Sequence, residues 1–162
     1  MAEEKTNVMR VLEQKKIPYT PHSYPHTEGE AVDGATVAAL LGRDPGEVYK
    51  TLVTRGASKA NYVFVVPVLA ELDLKKAAKT VGEKSIELIH VKELTPLTGY
   101  VRGGCSPIGM KKRFKPVVDA SAQAHAAILV SAGKIGRQVE LSPDALVGLI
   151  GGSFASVVKG DE

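Results

Sequence analysis

Hydrophobic and polar positions alternate along the chain with two periods, one typical of helices and one of strands. An apolar helical face in the segment 6–16 predicts a first helix, capped by Thr6 or Asn7 and ended by Pro18. The segment 17–30 that follows is rich in proline, histidine and tyrosine. It predicts an extended strand followed by a loop.

Further helices are predicted where a capping residue precedes a helical run and glycine or a chain turn follows it. The predicted segments, with their boundary residues in parentheses, are 34–41 (Asp33 and Gly42), a short turn after Asp44-Pro45, 74–81 (Asp73 and Gly82) and a last helix from Pro143 (Ser142).

Runs of β-branched and apolar residues without helical periodicity predict strands. The run 61–68 is almost continuously apolar, which indicates a central strand buried on both faces, and it pairs with 50–54 through a turn at 56–59. Shorter strands are predicted at 86–89, 117–118, 128–130 and 139–141. The prediction is an α+β fold: a single domain over 1–162 with a mixed sheet of about six or more strands surrounded by helices.

Composition narrows the class of protein. With 162 residues, 44% apolar and 24% charged, the chain is an ordinary soluble domain. One cysteine excludes an internal disulfide framework, and four scattered histidines exclude a Cys/His zinc ribbon. No apolar run approaches the roughly 18 to 20 residues that span a bilayer, and the N-terminus lacks a signal-peptide core. These features predict a cytosolic protein.

The net charge of +3 is unevenly distributed. No acidic residue lies between Glu93 and Asp119, whereas basic residues lie there at Arg102, Lys111, Lys112, Arg113 and Lys115. From charge alone, this segment is either a footprint for phosphates or a solvated basic loop. The aromatic content of 5%, with no tryptophan, argues against a surface that stacks single-stranded bases.

Standard catalytic motifs are absent from the sequence: it has no GxSxG elbow, Walker loop, HExxH or Rossmann GxGxxG. His22 and His26 lie four residues apart, but Pro25 rules out a regular helix, so no metal site is predicted there. His90 and His125 stand alone, and a lone histidine is more often structural or exposed than catalytic.

A few small or charged residues remain as candidates for a catalytic or ligand-binding role. Cys105 follows two glycines in a cationic segment, but no histidine is near it in sequence, so we interpret it as a small residue that fills a loop. Gly103 and Gly104 offer backbone N–H groups to an anion or an oxyanion, or form a tight turn. The loop 131–136 similarly offers a hydroxyl and N–H groups, or connects two strands. Lys50 opens a strand and points into a cleft or remains on the surface.

Several short motifs occur in one order along the chain: Tyr49-Lys50-Thr51-Leu52, the LDLKK run at 72–76, Gly99-Tyr100, Gly103-Gly104, the SPIGMKK run at 106–112 and VSAGK at 130–134. Each motif alone is weak, but the ordered set closely resembles the bacterial Cys-tRNA(Pro) deacylases, the YbaK/EbsC family. These proteins are free-standing relatives of the editing domain of bacterial prolyl-tRNA synthetases. The resemblance covers nearly the whole chain.

The resemblance implies a trans-editing enzyme with the editing-domain fold and no metal or cofactor. The family hydrolyses the ester between a mischarged amino acid, above all cysteine, and the terminal ribose of tRNA(Pro). In the mechanism the resemblance implies, the substrate's own thiol attacks the ester carbonyl, so no protein nucleophile is needed. The implied partners are tRNA(Pro) and prolyl-tRNA synthetase.

The resemblance also implies roles for individual residues. Lys50 matches the family's essential lysine, whose implied role is to bind the phosphate of the terminal adenosine or to orient the ester. Gly103 or Gly104 matches the loop that brings N–H groups to the ester. The implied substrate-binding residues are Tyr24, His22, Ser131, Gly133 and Gln138, and the implied tRNA-binding residues are Arg102, Lys111, Lys112 and Arg113. Gln138 departs from the aspartate of some relatives, since it keeps an acceptor and removes a charge.

Two other functions stay open at this point. The pocket of such an enzyme could prefer alanine, serine or threonine in place of cysteine. In a different class, the chain could be a tRNA- or nucleotide-binding module that kept the fold and lost the chemistry. The sequence does not determine the oligomeric state.

Overall fold

The structure is a computed structural model that describes residues 5–27, 29–111, 114 and 116–160. Within these residues the α-helices are α1 (Asn7–Gln14), α2 (Gly34–Leu41), α3 (Leu74–Val81), α4 (Val91–Thr98) and α5 (Pro143–Ile150), with 3-10 turns at Pro45–Glu47 and Ala120–Ala124. The strands are β1 (Thr20–Ser23), β2 (Tyr49–Gly56), β3 (Asn61–Pro67), β4 (Ile86–Leu88), β5 (Val117–Asp119), β6 (Ile128–Ser131), β7 (Arg137–Leu141) and β8 (Ser153–Ala155). None of the helices in this part of the chain has the length and apolar character needed to cross a membrane.

The helix boundaries follow the local capping chemistry. Thr6 accepts a hydrogen bond from the N–H of Met9 and begins α1, and Asp33 does the same for α2. Gly42 ends α2 with a φ of 68°, a left-handed conformation that glycine adopts without steric cost. The predicted bounds of α2 and α3 are confirmed, because these signals act within one turn of the helix end.

The strands form two sheets. A five-stranded mixed sheet has the order β4-β2-β3-β5-β8, and a three-stranded antiparallel sheet has the order β1-β7-β6. A single parallel bridge between Val48 and Leu129 links the two sheets. The α+β class is confirmed, whereas the strands expected in one sheet divide between two.

One α-helix and one strand had no counterpart in the sequence prediction. Helix α4 contains Pro96, a residue that usually marks a helix end, and yet the chain stays helical through Thr98. Strand β8 is only three residues long and pairs in parallel with β5. Its existence depends on a neighbour far away in sequence, so no local pattern indicates it.

The core explains why β3 is apolar on both faces. Phe64 and Val66 pack with α3 in one hydrophobic cluster, whereas Val65 packs with α1 and the three-stranded sheet in another. All three side chains are fully buried. The prediction of a central strand buried on both faces is confirmed, and the position of β3 in the middle of the five-stranded sheet is the reason.

An ionic network ties α2 to the three-stranded sheet. The Arg43 guanidinium donates to both carboxylate oxygens of Glu140, at 3.0 and 2.8 Å, and also to Glu47. The Nε2 atom of His22 lies 2.9 Å from Oε1 of Glu140. Hydrogen bonding to Arg43, with a smaller contribution from His22, lowers the pKa of Glu140 to about 2.

Replacement of Glu140 by glutamine is expected to lower the free energy of unfolding at pH 7 by about 1–2 kcal/mol. The folded-state pKa of Glu140, about 2, lies below the ordinary 4.5, so its carboxylate stabilises the fold above pH 4.5. That stabilisation is lost as the pH falls from 4.5 towards 2. Urea denaturation from pH 2 to pH 7 measures it. Glu87→Gln, at an exposed position, is the control, and identical pH profiles for the two variants would contradict the prediction.

Candidate active site

A cavity of about 130 Å³ opens where the two sheets meet. We call it the Lys50 cavity. Its apolar wall comes from four valines, Val32, Val37, Val48 and Val68. Its polar or reactive side chains are Tyr24, Tyr49, Lys50, Thr51, Cys105, Ser131 and Gln138, and Gly34 and Gly103 bring backbone to its edge.

The fold brings the polar residues together from four separate places. Lys50 lies at the beginning of β2, next to the bridge that joins the sheets. Ser131 and Gln138 face each other as a register pair between β6 and β7. Tyr24 follows β1, and its N–H donates to the carbonyl of Gly136 at 3.0 Å. The site therefore depends on the junction between the sheets.

Lys50 supplies the charge of the cavity. Its side chain is half-buried, and within the described chain it has no hydrogen bond or ion pair. Burial lowers the pKa of the Lys50 ammonium from its usual 10.5, and the more distant Glu71 opposes this only in part. No carboxylate belongs to the described residues that line the cavity. The unpaired ammonium is thus available to an oxygen atom of a ligand, such as an ester carbonyl or a phosphate.

Two buried acceptors in the cavity lack partners. The Oγ1 atom of Thr51 and the Oε1 atom of Gln138 are shielded from solvent and make no hydrogen bond. Gln138 is only 6% exposed. An unsatisfied buried polar group costs about 1–3 kcal/mol, so each of these two atoms carries a cost that a hydrogen bond from a ligand would remove. Ser131 accepts a hydrogen bond from the Gly133 N–H at 3.1 Å, which leaves its hydroxyl proton for a ligand.

The two glycines of the loop have different roles. The N–H of Gly104 donates to the carbonyl of Val101 at 3.0 Å, and Gly104 is buried. Gly103 lines the cavity, and its N–H has no acceptor in the described chain. Its φ is +86°, and a Cβ atom at this position would lie 2.8 Å from the Ala31 Cβ. Gly103 is therefore the glycine that can donate to a ligand.

Three residues expected at the site lie elsewhere. His22 contacts Glu140 and borders a separate surface depression. The N–H of Gly104 is already bonded to the carbonyl of Val101 within a turn. Gly133 faces the side chains of Tyr100 and Val8. None of the three is among the residues that line the Lys50 cavity.

The basic segment is only partly described. Arg102 is exposed and adjoins Gly103 at the edge of the cavity. The Lys111 ammonium donates to the carbonyl of Pro96 in α4 at 3.3 Å. Lys112 and Arg113, together with Lys115, lie outside the described residues. The assignment of this segment to tRNA binding stays a prediction.

Thr51 was not singled out as a site residue from the sequence. It stands beside Lys50, but neighbouring side chains on a strand point to opposite faces, so nothing local places both at one cavity. Its position in the cavity wall depends on the loop around Gly103 and Cys105, which lines the same cavity. Elsewhere in the described residues, no group of three histidine, cysteine, aspartate or glutamate side chains is arranged to hold a metal ion.

Cys105 lines the cavity, but its chemistry is unsuited to nucleophilic attack. Burial raises the pKa of the Cys105 thiol to about 12, so the reactive thiolate is scarce at neutral pH. Replacement of Cys105 by serine is expected to leave ester hydrolysis within about threefold of the original rate. Measurement of the single-turnover rate checks this. A fall to the uncatalysed rate would instead identify the thiol as a nucleophile.

Comparison with known proteins places these features in a family. Residues 28–149 match the model of the aminoacyl-tRNA editing domain. A curated relative from Enterococcus faecalis, named as a candidate Cys-tRNA(Pro)/Cys-tRNA(Cys) deacylase, EbsC, is 47% identical over 155 residues, which cover 96% of this chain and 94% of the relative.

Solved structures share the fold. A candidate trans-editing enzyme for prolyl-tRNA synthetase superposes with a TM-score of 0.80 at 24% identity, over 94% of this chain and 95% of that one. A hypothetical protein superposes with a TM-score of 0.83 at 24% identity, over 94% of this chain and 99% of the other.

Proposed function

The chain belongs to the aminoacyl-tRNA editing domain family, and from this premise we propose that it is a trans-editing deacylase that hydrolyses mischarged Cys-tRNA(Pro). One observation supports the proposal most strongly. The Lys50 cavity combines an unpaired ammonium, a free backbone N–H and two unpartnered acceptors in a volume suited to a small aminoacyl group.

We assign roles to the cavity residues by their chemistry. The Lys50 ammonium and the Gly103 N–H bind the ester carbonyl oxygen, where negative charge develops during attack. The Oε1 atom of Gln138 accepts a hydrogen bond from the α-ammonium group of the substrate. Tyr24 and Ser131 supply hydroxyl groups that orient the aminoacyl moiety. These residues provide position and electrostatic stabilisation.

The substrate's thiol performs the attack in this mechanism. The sulfur forms a bond to the ester carbonyl carbon, the bond from that carbon to the ribose oxygen breaks, and the ribose oxygen takes up the proton that the thiol has lost. The products are free tRNA and a cyclic thiolactone of cysteine, which water then opens. Intramolecular attack in a fixed geometry reaches effective molarities of about 10⁵ M or more, so orientation supplies most of the acceleration.

The mechanism can be tested by changing the amino acid that tRNA(Pro) carries and comparing the deacylation rates. We expect Cys-tRNA(Pro) to be deacylated at least about 100-fold faster than Ser-tRNA(Pro) or Ala-tRNA(Pro), because neither side chain carries a thiol. Release of the labelled amino acid measures each rate. Comparable rates would show that an enzyme-positioned water attacks and that the pocket accepts small amino acids in general. Binding of tRNA without any turnover would contradict the deacylase proposal.

The basic surface of this protein supplies only part of the selectivity for tRNA(Pro). The exposed Arg102 and Lys111 offer charge to the acceptor stem, but the net charge of the chain is only +3. Such a surface binds RNA in a salt-dependent and weakly selective way. We therefore propose that prolyl-tRNA synthetase, which produces the mischarged tRNA, presents it to this protein.

A further inference from the structure

Lys50 has the surroundings of a lysine that reacts with small electrophiles. Its side chain is half-buried and makes no hydrogen bond or ion pair within the described chain. A lysine attacks an electrophile only as the uncharged amine. Burial lowers the pKa of the Lys50 ammonium, so the uncharged form is more abundant at Lys50 than at an exposed lysine.

The groups around the Lys50 cavity do not hold a proton on this amine. The described residues that line the cavity include no carboxylate, and their other titratable side chains are Tyr24, Tyr49 and Cys105. Burial raises the pKa of Tyr49 and that of Cys105, the latter to about 12, so neither is an anion at neutral pH. Glu71, whose charge favours the Lys50 ammonium, lies outside the residues that line the cavity.

The size and the wall of the cavity favour one electrophile. The volume is about 130 Å³, and the four valines make the wall apolar, so a small uncharged molecule enters more easily than an anion. Carbon dioxide is small, uncharged and reactive towards amines. We propose that Lys50 is a site of reversible carbamylation by carbon dioxide, and that this modification switches off the deacylase. The second part rests on the proposed function.

The reaction forms one bond and releases two protons to water. The Lys50 ammonium first gives up one proton and becomes the amine. The lone pair of the nitrogen then forms a bond to the carbon of carbon dioxide, one C–O π pair moves onto oxygen, and the nitrogen loses a second proton. The product is a carbamate with one N–H and one negative charge. The reverse reaction restores the ammonium and releases carbon dioxide.

The polar atoms of the cavity match those of a carbamate. The N–H of the carbamate suits Oε1 of Gln138, and its two oxygens suit the hydroxyls of Thr51 and Ser131 and the N–H of Gly103. Thr51 and Gln138 are the two residues whose buried oxygens make no hydrogen bond, so the modification removes the cost of both. It also places a negative charge where the ester carbonyl develops one, and deacylation therefore stops.

Carbon NMR with isotope-labelled bicarbonate, which supplies dissolved carbon dioxide, tests the modification without turnover. The original protein should give a carbamate resonance that Lys50→Ala lacks and that Lys84→Ala, at an exposed lysine, keeps. A resonance from the N-terminal amine would persist in all three. Thr51→Val should bind carbon dioxide at least about tenfold more weakly, because it loses a hydrogen bond to a charged group.

Thr20→Val, at an exposed threonine of β1, is the matched control for Thr51→Val and should keep the original affinity. Absence of a Lys50-dependent resonance, or equal affinity in Thr51→Val and the original protein, would overturn the inference.

Deacylation rates test the effect on activity. Bicarbonate is added at constant pH, and chloride at equal ionic strength is the control. When NMR shows half of Lys50 modified, release of cysteine from Cys-tRNA(Pro) should be about twofold slower, because only the ammonium form stabilises the oxyanion. Removal of carbon dioxide should restore the rate. If the protein hydrolyses no ester even without carbon dioxide, the proposed function fails, and the resonance alone decides the modification. A rate independent of the modified fraction would overturn the proposed switch.

Discussion

Replacement of Lys50 by alanine is expected to slow Cys-tRNA(Pro) deacylation by about 10²–10³-fold, the usual effect of removing one donor that stabilises a developing oxyanion. Lys50 is the only cation among the described residues lining its cavity, and no described side chain can take over its role. Single-turnover release of labelled cysteine measures the loss.

The Lys50→Ala variant is expected to fold as well as the original protein. Burial lowers the folded-state pKa of Lys50, so the charged ammonium disfavours the folded state at neutral pH and its removal relieves that cost. The melting temperature should be unchanged or higher. Lys84→Ala, at an exposed lysine, is the control and should keep full activity. A Lys50→Ala rate within about threefold of the original would move the active site away from this cavity.

Replacement of Gly103 by alanine is expected to lower activity by about 100-fold. The added Cβ would lie 2.8 Å from Cβ and 3.0 Å from Cα of Ala31, and the φ of +86° disfavours any side chain. The loop must then move away from Ala31, and this movement displaces the Gly103 N–H from the ester. A displacement of about 1 Å at a reacting centre costs on the order of 10²-fold in rate.

Gly82→Ala is the matched control for this substitution. Gly82 ends α3 with a φ of +77°, and a Cβ there would meet nothing within 4 Å. Gly82→Ala should lose about 1 kcal/mol of stability from backbone strain and keep its activity. Gly103→Ala should lose more stability than this, because its Cβ also meets Ala31, and it alone should lose activity. The comparison requires thermal melts and deacylation rates for both. Full activity in Gly103→Ala would show that its N–H does not contact the ester.

The candidate site was predictable in part. Lys50, Tyr24, Ser131 and Gln138 were assigned from the resemblance to the editing family, and the structure brings all four to one cavity. The same resemblance placed His22 at the pocket, but its ring is held by Glu140. A motif match identifies which residues recur, whereas hydrogen-bond partners depend on strands that meet only in the folded chain.

The role of the basic segment was also predictable only in part. Its charge pattern suggested phosphate binding, and Arg102 lies exposed beside Gly103 at the edge of the cavity. Lys111 instead contacts the carbonyl of Pro96 in α4, a helix that the sequence did not predict. Arg102 and Lys111 therefore have different surroundings, and the assignment of the segment to tRNA binding stays a prediction.

Local signals in the sequence account for the ends of α2 and α3, the burial of β3 on both faces and membership of the family. These properties follow from capping chemistry, local periodicity and ordered motifs, which act over a few residues at a time. Contacts in the folded chain divide the strands between two sheets, leave the N–H of Gly103 rather than that of Gly104 for a ligand, and bring Thr51 to the wall of the Lys50 cavity. Each of these depends on contacts between distant residues, such as the bridge from Val48 to Leu129, and no local pattern encodes such contacts.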